Sequence, residues 1–217
     1  MALAIFDLDD TLIDGDCASL WSAHMAELGW VDGESFVRKD HELMALYAEG
    51  KLAMEDYMAF SLSPLVGRTA EEVDFVAGPF VEDVVEPLIH SDAMRCLARH
   101  RAAGDRILII SASAHFLVSA IAERLGVEEV LAIDLEEQHG SYSGRTRGVL
   151  TYREGKVTRL NAWLEEQDES LEGAYFYSDS RNDLPLLSLV ANPHTVNPDP
   201  TLRAHAEQAG WPVLDWR

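Results

Sequence analysis

Two rhythms of hydrophobic and polar positions divide this chain. Residues 2–7, "ALAIFD", form an apolar run of strand length that ends on an acid, and from there to about residue 86 no strand pattern returns. The intervening stretch has helical spacing throughout. "CASLWSAHMAELG" places Leu20, Trp21, Met25 and Leu28 on one face and stops at Gly29. "GESFVRKDHELMALYAEG" does the same with Phe36, Val37, Leu43, Met44, Leu46 and Tyr47 and stops at Gly50. "MEDYMAFSL" and "AEEVDFVAGPFVEDVV" complete a helical bundle. From residue 91 helices and strands alternate. "SDAMRCLARHRAAG" is helical, "DRILIISAS" a strand, "HFLVSAIAERLG" a helix and "EVLAID" a strand. "GSYSGRTRGVLTYREG" reads as a hairpin, "KVTRLNAWLEEQ" as a helix, "AYFYSDS" as a strand, "NDLPLLSLV" as a short helix, "PTLRAHAEQAG" as a helix and "WPVLDW" as a last strand. Such alternation predicts an α/β fold, a Rossmann-like parallel sheet with helices on both faces that binds ligands at the carboxyl ends of its strands.

Composition narrows the class of partner. With 217 residues, 47% of them hydrophobic, one main domain with a smaller appendage is expected. A formal charge of -21, from 38 acids against 17 bases, argues against nucleic acid and anionic membrane as partners and favours a small solute. Cys17 and Cys96 are too few for a disulfide framework or a zinc site, so they read as free thiols. The apolar opening has no basic flank and stops at Asp7, unlike a signal peptide, and no run reaches membrane-spanning length, so the expected location is cytoplasmic.

Several strands end on polar groups. Asp7 closes the first, Ser111 lies in "LIISAS", Lys156 in "EGKVTRL", and acids follow "YFYSDSRND". Burying such groups is costly unless they meet a metal, a partner or a substrate, and together they describe one polar site. The set suits phosphoryl transfer. Asp7 can attack phosphorus as a carboxylate nucleophile. Asp7 and Asp179 with a backbone carbonyl suit Mg²⁺, a hard ion that prefers oxygen. Lys156 adds positive charge, Ser111 donates to phosphoryl oxygens, and Asp9 can protonate the leaving alkoxide and then deprotonate water.

These residues resemble the four ordered motifs of the haloacid dehalogenase superfamily, subfamily IB, in the branch containing phosphoserine phosphatase: "DLDDT", Ser111, Lys156 and "SDSRND". The resemblance implies Asp7 as nucleophile, Asp9 as acid and base whose carbonyl also binds Mg²⁺, Asp179 as the other metal ligand, Asp183 as an acid behind the ligands, Asn182 and Lys156 as phosphate contacts, and Thr11 as a brace for the first loop. It departs from the family at Ser178 and Ser180, where glycine is usual. It further implies a core of residues 1–14 and 88–217 and an inserted helical-bundle cap of the C1 type over 15–87.

Two positions bear on the substrate. The resemblance makes Asp16 the acid that holds a substrate amine, and it places Ser61 where phosphoserine phosphatases carry an arginine for the substrate carboxylate. An amine-bearing phosphomonoester without a carboxylate, such as histidinol phosphate, fits that change, and "FYSDSRNDLPLL" and "GKVTRLNAWL" resemble a bacterial subgroup that includes histidinol-phosphate phosphatases. Phosphoserine remains the alternative if Arg38, Lys39 or Arg68 replaces the arginine. A phosphotransferase acting on an alcohol acceptor is a third reading, and a non-catalytic phosphate-binding protein a fourth, against which the intact motifs stand. Trp21 and His24, one helical turn apart, read as bundle packing, and His115 as a helix-start residue.

Overall fold

A computed structural model describes residues 2–217. Its seven strands form one sheet in the order β4-β3-β2-β1-β5-β6-β7. β1 (Leu3–Phe6) lies at the centre, between β2 (Arg106–Ala114) and β5 (Tyr175–Ser178), and pairs with both in parallel. β3 (Glu129–Gln138) continues the parallel sheet beyond β2, while β6 (Asn192–Val196) and β7 (Val213–Leu214) extend it beyond β5. Strand order reverses between β1 and β5, so their carboxyl ends flank a crevice of the kind where open α/β sheets bind ligands.

The sheet is buried on both faces, as the βα alternation requires. Successive β1 residues alternate between two apolar clusters, with Ala4 and Phe6 in one and Leu3 and Ile5 in the other. The helices from the long stretch after β1 are α1 (Cys17–Glu27), α2 (Gly33–Ala48), α3 (Met54–Ser61) and α4 (Ala70–Phe80). They share the first cluster: Met25, Tyr57 and Phe80 belong to the same core as Phe6 and Ile109. Trp21 packs edge-on against Trp30, Phe80 and Phe116 and tilts against His24, which fits the packing role expected of it.

The later helices are α5 (Ser91–Ala103), α6 (His115–Leu125), α7 (Glu154–Gln167), α8 (Leu184–Leu187) and α9 (Pro200–Ala209). Three elements differ from expectation. The hairpin predicted within "GSYSGRTRGVLTYREG" forms instead between β3 and β4 (Ser141–Arg147), around His139 and Gly140, whose φ values of 54° and 82° are those a tight two-residue hairpin turn needs. The helix predicted over 70–85 passes into a π turn at Val81–Val85, just after Pro79 has removed a backbone donor. β6 was not predicted at all, because Asn192 and Pro193 at its start read as turn residues.

One turn controls the site. Tyr152 N donates to the Leu150 carbonyl, Gly155 N to the Tyr152 carbonyl and Lys156 N to the Arg153 carbonyl, so the chain folds back tightly as α7 begins. A Cβ at Gly155 would lie 1.9 Å from the Leu150 carbonyl oxygen, so only glycine fits. Gly155→Ala is therefore expected to lower stability by about 1–3 kcal/mol, whereas Gly78→Ala, at a position where a Cβ meets nothing within 4 Å, should not destabilise. Urea denaturation of both variants checks this.

Candidate active site

The site begins where β1 runs out of sheet. Asp7 N still donates to the Tyr177 carbonyl at 2.9 Å, extending the β1–β5 ladder by one bond and leaving the Asp7 carboxylate at the strand end. Tyr177 is held beneath it by stacking on Phe6 and His194, at 4.6 and 4.7 Å between ring centroids, and by its hydroxyl, 2.9 Å from His100 Nε2. The loop after Asp7 closes through Asp10 N, which donates to the Gly15 carbonyl at 3.0 Å, and delivers Asp16 as the N-cap of α1.

Lys156 reaches Asp7 from the other side. Its Nζ lies 2.9 Å from Asp7 Oδ1 and 2.8 Å from Asp183 Oδ2, and Ser178 Oγ donates to the same Asp183 oxygen at 2.7 Å. All four side chains are buried. Burial works against the Lys156 ammonium, but the carboxylates of Asp183 and Asp7 outweigh it and raise its pKa, so the lysine is firmly cationic. Asp179 is braced by Thr11, whose hydroxyl donates to Asp179 Oδ1 at 3.2 Å and accepts from Asp179 N at 3.0 Å.

Asp7, Lys156, Asp179, Asp183 and Thr11 thus come together as anticipated. Asp9 and Ser111, expected to act separately, instead bond to each other at 3.3 Å. Asp9 also accepts from Cys17 N at 2.7 Å and from Ser113 Oγ at 2.9 Å, so both its oxygens are engaged and it does not point freely past the strand end. Ser113 went unrecognised; its signal was the alternation "SAS", which sets two hydroxyls on one side of an extended strand. Asn182 is buried, its Oδ1 accepts from Arg153 Nε and the Tyr152 hydroxyl, and its Nδ2 has no partner.

A cavity of about 240 Å³ opens beside Asp7. Asp9, Asp10, Asp16 and Asp179 line its acidic side, and Met44, Tyr47, Met54 and Tyr57 from α2 and α3 its apolar wall. Asp16 has one oxygen committed to Ser19 N, 2.7 Å away, and remains part of the cavity lining. Burial first, then the neighbouring Asp9 charge, raises its pKa well above the usual carboxylate range. Ser61 lines a smaller adjoining pocket, and its hydroxyl donates to the Met58 carbonyl. The bases considered as arginine substitutes do not line the cavity. Arg68 lies over the Trp30 ring, 3.6 Å from its centroid, and Lys39 pairs with Glu42. Neither is Arg38 among the cavity residues.

The donor set fits a divalent cation. Burial raises the pKa of Asp7 despite the Lys156 charge, and burial followed by the charges of Asp7, Asp10 and Asp183 raises that of Asp179. One buried ammonium is too little positive charge for these carboxylates, and a hard cation held by oxygen would supply the remainder. Among the described residues no group of three or more His, Cys, Asp or Glu side chains is placed to hold a metal ion by itself. No helix among the described residues is long and apolar enough to cross a membrane.

Lys156→Met is expected to leave two buried carboxylates unpaired and to lower stability by about 3–5 kcal/mol. Adding Asp183→Asn should recover part of that loss, which urea denaturation of the single and double variants will measure.

Comparison with known proteins agrees with this architecture. Residues 4–188 match the model of the haloacid dehalogenase-like hydrolases. The chain is 36% identical to a histidinol-phosphatase of Neisseria meningitidis serogroup C (strain 8013), over 99% of each chain. A crystal structure of a protein of unknown function from Bordetella pertussis Tohama I superposes with a TM-score of 0.91 at 37% identity, covering 99% of this chain and 98% of that one. A substrate-bound phosphoserine phosphatase superposes with a TM-score of 0.71 over 98% of this chain and 92% of that one, and at 19% identity it shares the fold alone. With its central Asp7, its ordered motifs and its sheet, the chain belongs to the haloacid dehalogenase-like hydrolases.

Proposed function

We propose that this hydrolase is a Mg²⁺-dependent phosphomonoester phosphatase that acts through an aspartyl-phosphate on Asp7, and that its substrate is a small amino-alcohol phosphate such as histidinol phosphate. The observation that carries the substrate reading is the make-up of the cavity. An acid, Asp16, faces an apolar and aromatic wall of Met44, Tyr47, Met54 and Tyr57, and among the described residues no Lys or Arg lines the space. A leaving group with a cationic amine and a flat apolar body meets complementary groups there. A substrate carboxylate would lie unpaired among Asp9, Asp10 and Asp16, which is costly. The full-length relation to a histidinol-phosphatase supports the same reading.

Asp7 and Asp179, with the Asp9 carbonyl, would hold Mg²⁺, which when bound supplies positive charge to the phosphoryl oxygens. In the first step an Asp7 oxygen bonds to phosphorus, the bond to the ester oxygen breaks, and Asp9 gives its proton to the leaving alkoxide. In the second, Asp9 takes a proton from water, whose oxygen bonds to phosphorus as the Asp7 ester bond breaks, releasing orthophosphate. Asp9 must exchange one of its serine contacts for the leaving group to do this. Lys156 holds Asp7 in place, and the buried Asn182 Nδ2, which has no partner among the described residues, is the donor assigned to a phosphoryl oxygen. Helices α1–α4, over residues 15–87, act as a cap that excludes water, with residues 1–14 and 88–217 as the catalytic core.

The test is phosphate release with Mg²⁺ from histidinol phosphate and phosphoserine in parallel, with Asp7→Asn as the blank. A kcat/KM of at least ~10⁴ M⁻¹s⁻¹ is expected for histidinol phosphate, with phosphoserine far lower, and EDTA should abolish release until Mg²⁺ is restored. Faster release from phosphoserine would overturn the substrate reading. Transfer of phosphate to an added alcohol in preference to water would make the enzyme a phosphotransferase.

A further inference from the structure

We propose that Arg153 is a positioning residue that couples docking of the α2 C-terminus over the cavity to presentation of the Asn182 amide toward the phosphoryl group. The inference rests on Asn182 as a phosphate ligand in the reaction above. One guanidinium makes both contacts. Its Nε donates to Asn182 Oδ1 at 3.1 Å, and its Nη2 donates to the Gly50 carbonyl.

The first contact sets the amide. Because Arg153 and the Tyr152 hydroxyl both donate to Oδ1, the oxygen end of the Asn182 side chain is defined, and its Nδ2 is left buried without an acceptor. Asn182 precedes Asp183, the partner of Lys156, which in turn holds Asp7. A phosphoryl group on Asp7 is the acceptor that this buried donor lacks.

The second contact reports the position of α2. Gly50 ends that helix with φ +69°, its N–H donating to the Tyr47 carbonyl and Lys51 N to the Leu46 carbonyl. A Cβ there would sit 2.9 Å from Arg153 Nη2, so glycine permits the close approach. The carbonyl end of a helix favours a cation. The final turns of α2 carry Met44, Tyr47 and Ala48, part of the cavity wall, and the Tyr47 ring lies 5.7 Å from that of Tyr152. Arg153 itself has φ 50° and ψ -121°, a backbone state seldom adopted by a residue with a side chain and found at sites where surrounding contacts enforce it. The planar fork of arginine fixes Nε and Nη2 as separate donors aimed at the two acceptors, a geometry that the single Nζ of lysine does not reproduce.

The experiment is a double-mutant cycle of Arg153→Met and Asn182→Ala, read as kcat/KM for p-nitrophenyl phosphate and as the inhibition constant of inorganic phosphate. In the Asn182-containing enzyme Arg153→Met should lower kcat/KM about 10²-fold and weaken phosphate inhibition. In the Asn182→Ala background it should change either quantity by less than about threefold, since distant independent effects add and effects exerted through a shared group do not. Arg153→Lys, which keeps the charge and gives a folded alternative should the methionine variant fail, should behave like Arg153→Met in both backgrounds. Equal losses with and without Asn182 would overturn the proposal while leaving the phosphatase reading intact. Absence of phosphate release by the wild-type enzyme would instead overturn the phosphatase reading, and this inference with it.

Discussion

A single buried ammonium shared between two carboxylates is the constraint on which the site depends. Lys156, Asp7 and Asp183 come from three separated parts of the chain, and all are almost fully shielded from water. Desolvating such charges is repaid only when their geometry is accurate. The fold meets that demand through backbone structure. Parallel pairing of β1 with β5 aligns Phe6 with Tyr177, so Asp7 and the acids after Ser178 leave the sheet side by side. The turn closed by Gly155 sets Lys156 in the first turn of α7, where it reaches both. Ser178 and Ser180, which depart from the glycines of the family motif, are absorbed into this arrangement. Ser178 Oγ donates to Asp183, and Ser180 Oγ accepts from Asn182 N.

Excess negative charge follows from the same geometry and links the fold to function. Asp7, Asp9, Asp10, Asp16 and Asp179 share one cavity, and Asp7 is paired with Lys156. That charge is unfavourable in isolation; on the proposed function it would be met by a divalent cation and a substrate amine, and it would disfavour a second anion beyond the phosphoryl group. On the proposed function, selection between leaving groups would be an electrostatic property of the cavity joined to the shape of its apolar wall.

Legibility in the sequence followed the range of the interactions. The sheet, its flanking helices and the strand-end positions of Asp7 and Asp179 were readable because local periodicity and short motifs encode them, whereas Ser111, expected at a strand end, lies inside β2, which runs on to Ala114. Contacts between distant segments were not. Nothing near Asp9 announces that Ser113, 104 residues away, will hold it. Nor does "TYREG" show that Arg153 will meet Gly50, 103 residues earlier. Asp40 is another such case: it falls among Phe36, Val37, Leu43 and Met44 on the apolar face of α2, and only the fold shows the hydroxyls of Ser19 and Ser22 that its buried carboxylate accepts from. β6 was hidden because Asn192 and Pro193 have turn character, which its place between β5 and β7 overrides.

The central claim is that Asp7 carries the phosphoryl group in the course of each turnover. The most direct measurement is rapid acid quenching of the enzyme during turnover of a phosphomonoester labelled on phosphorus, followed by peptide mapping of the label. The account predicts acid-stable, base-labile label on the peptide containing Asp7 and none in Asp7→Asn. Label on any other residue, or turnover at full rate with none on the protein, would contradict it.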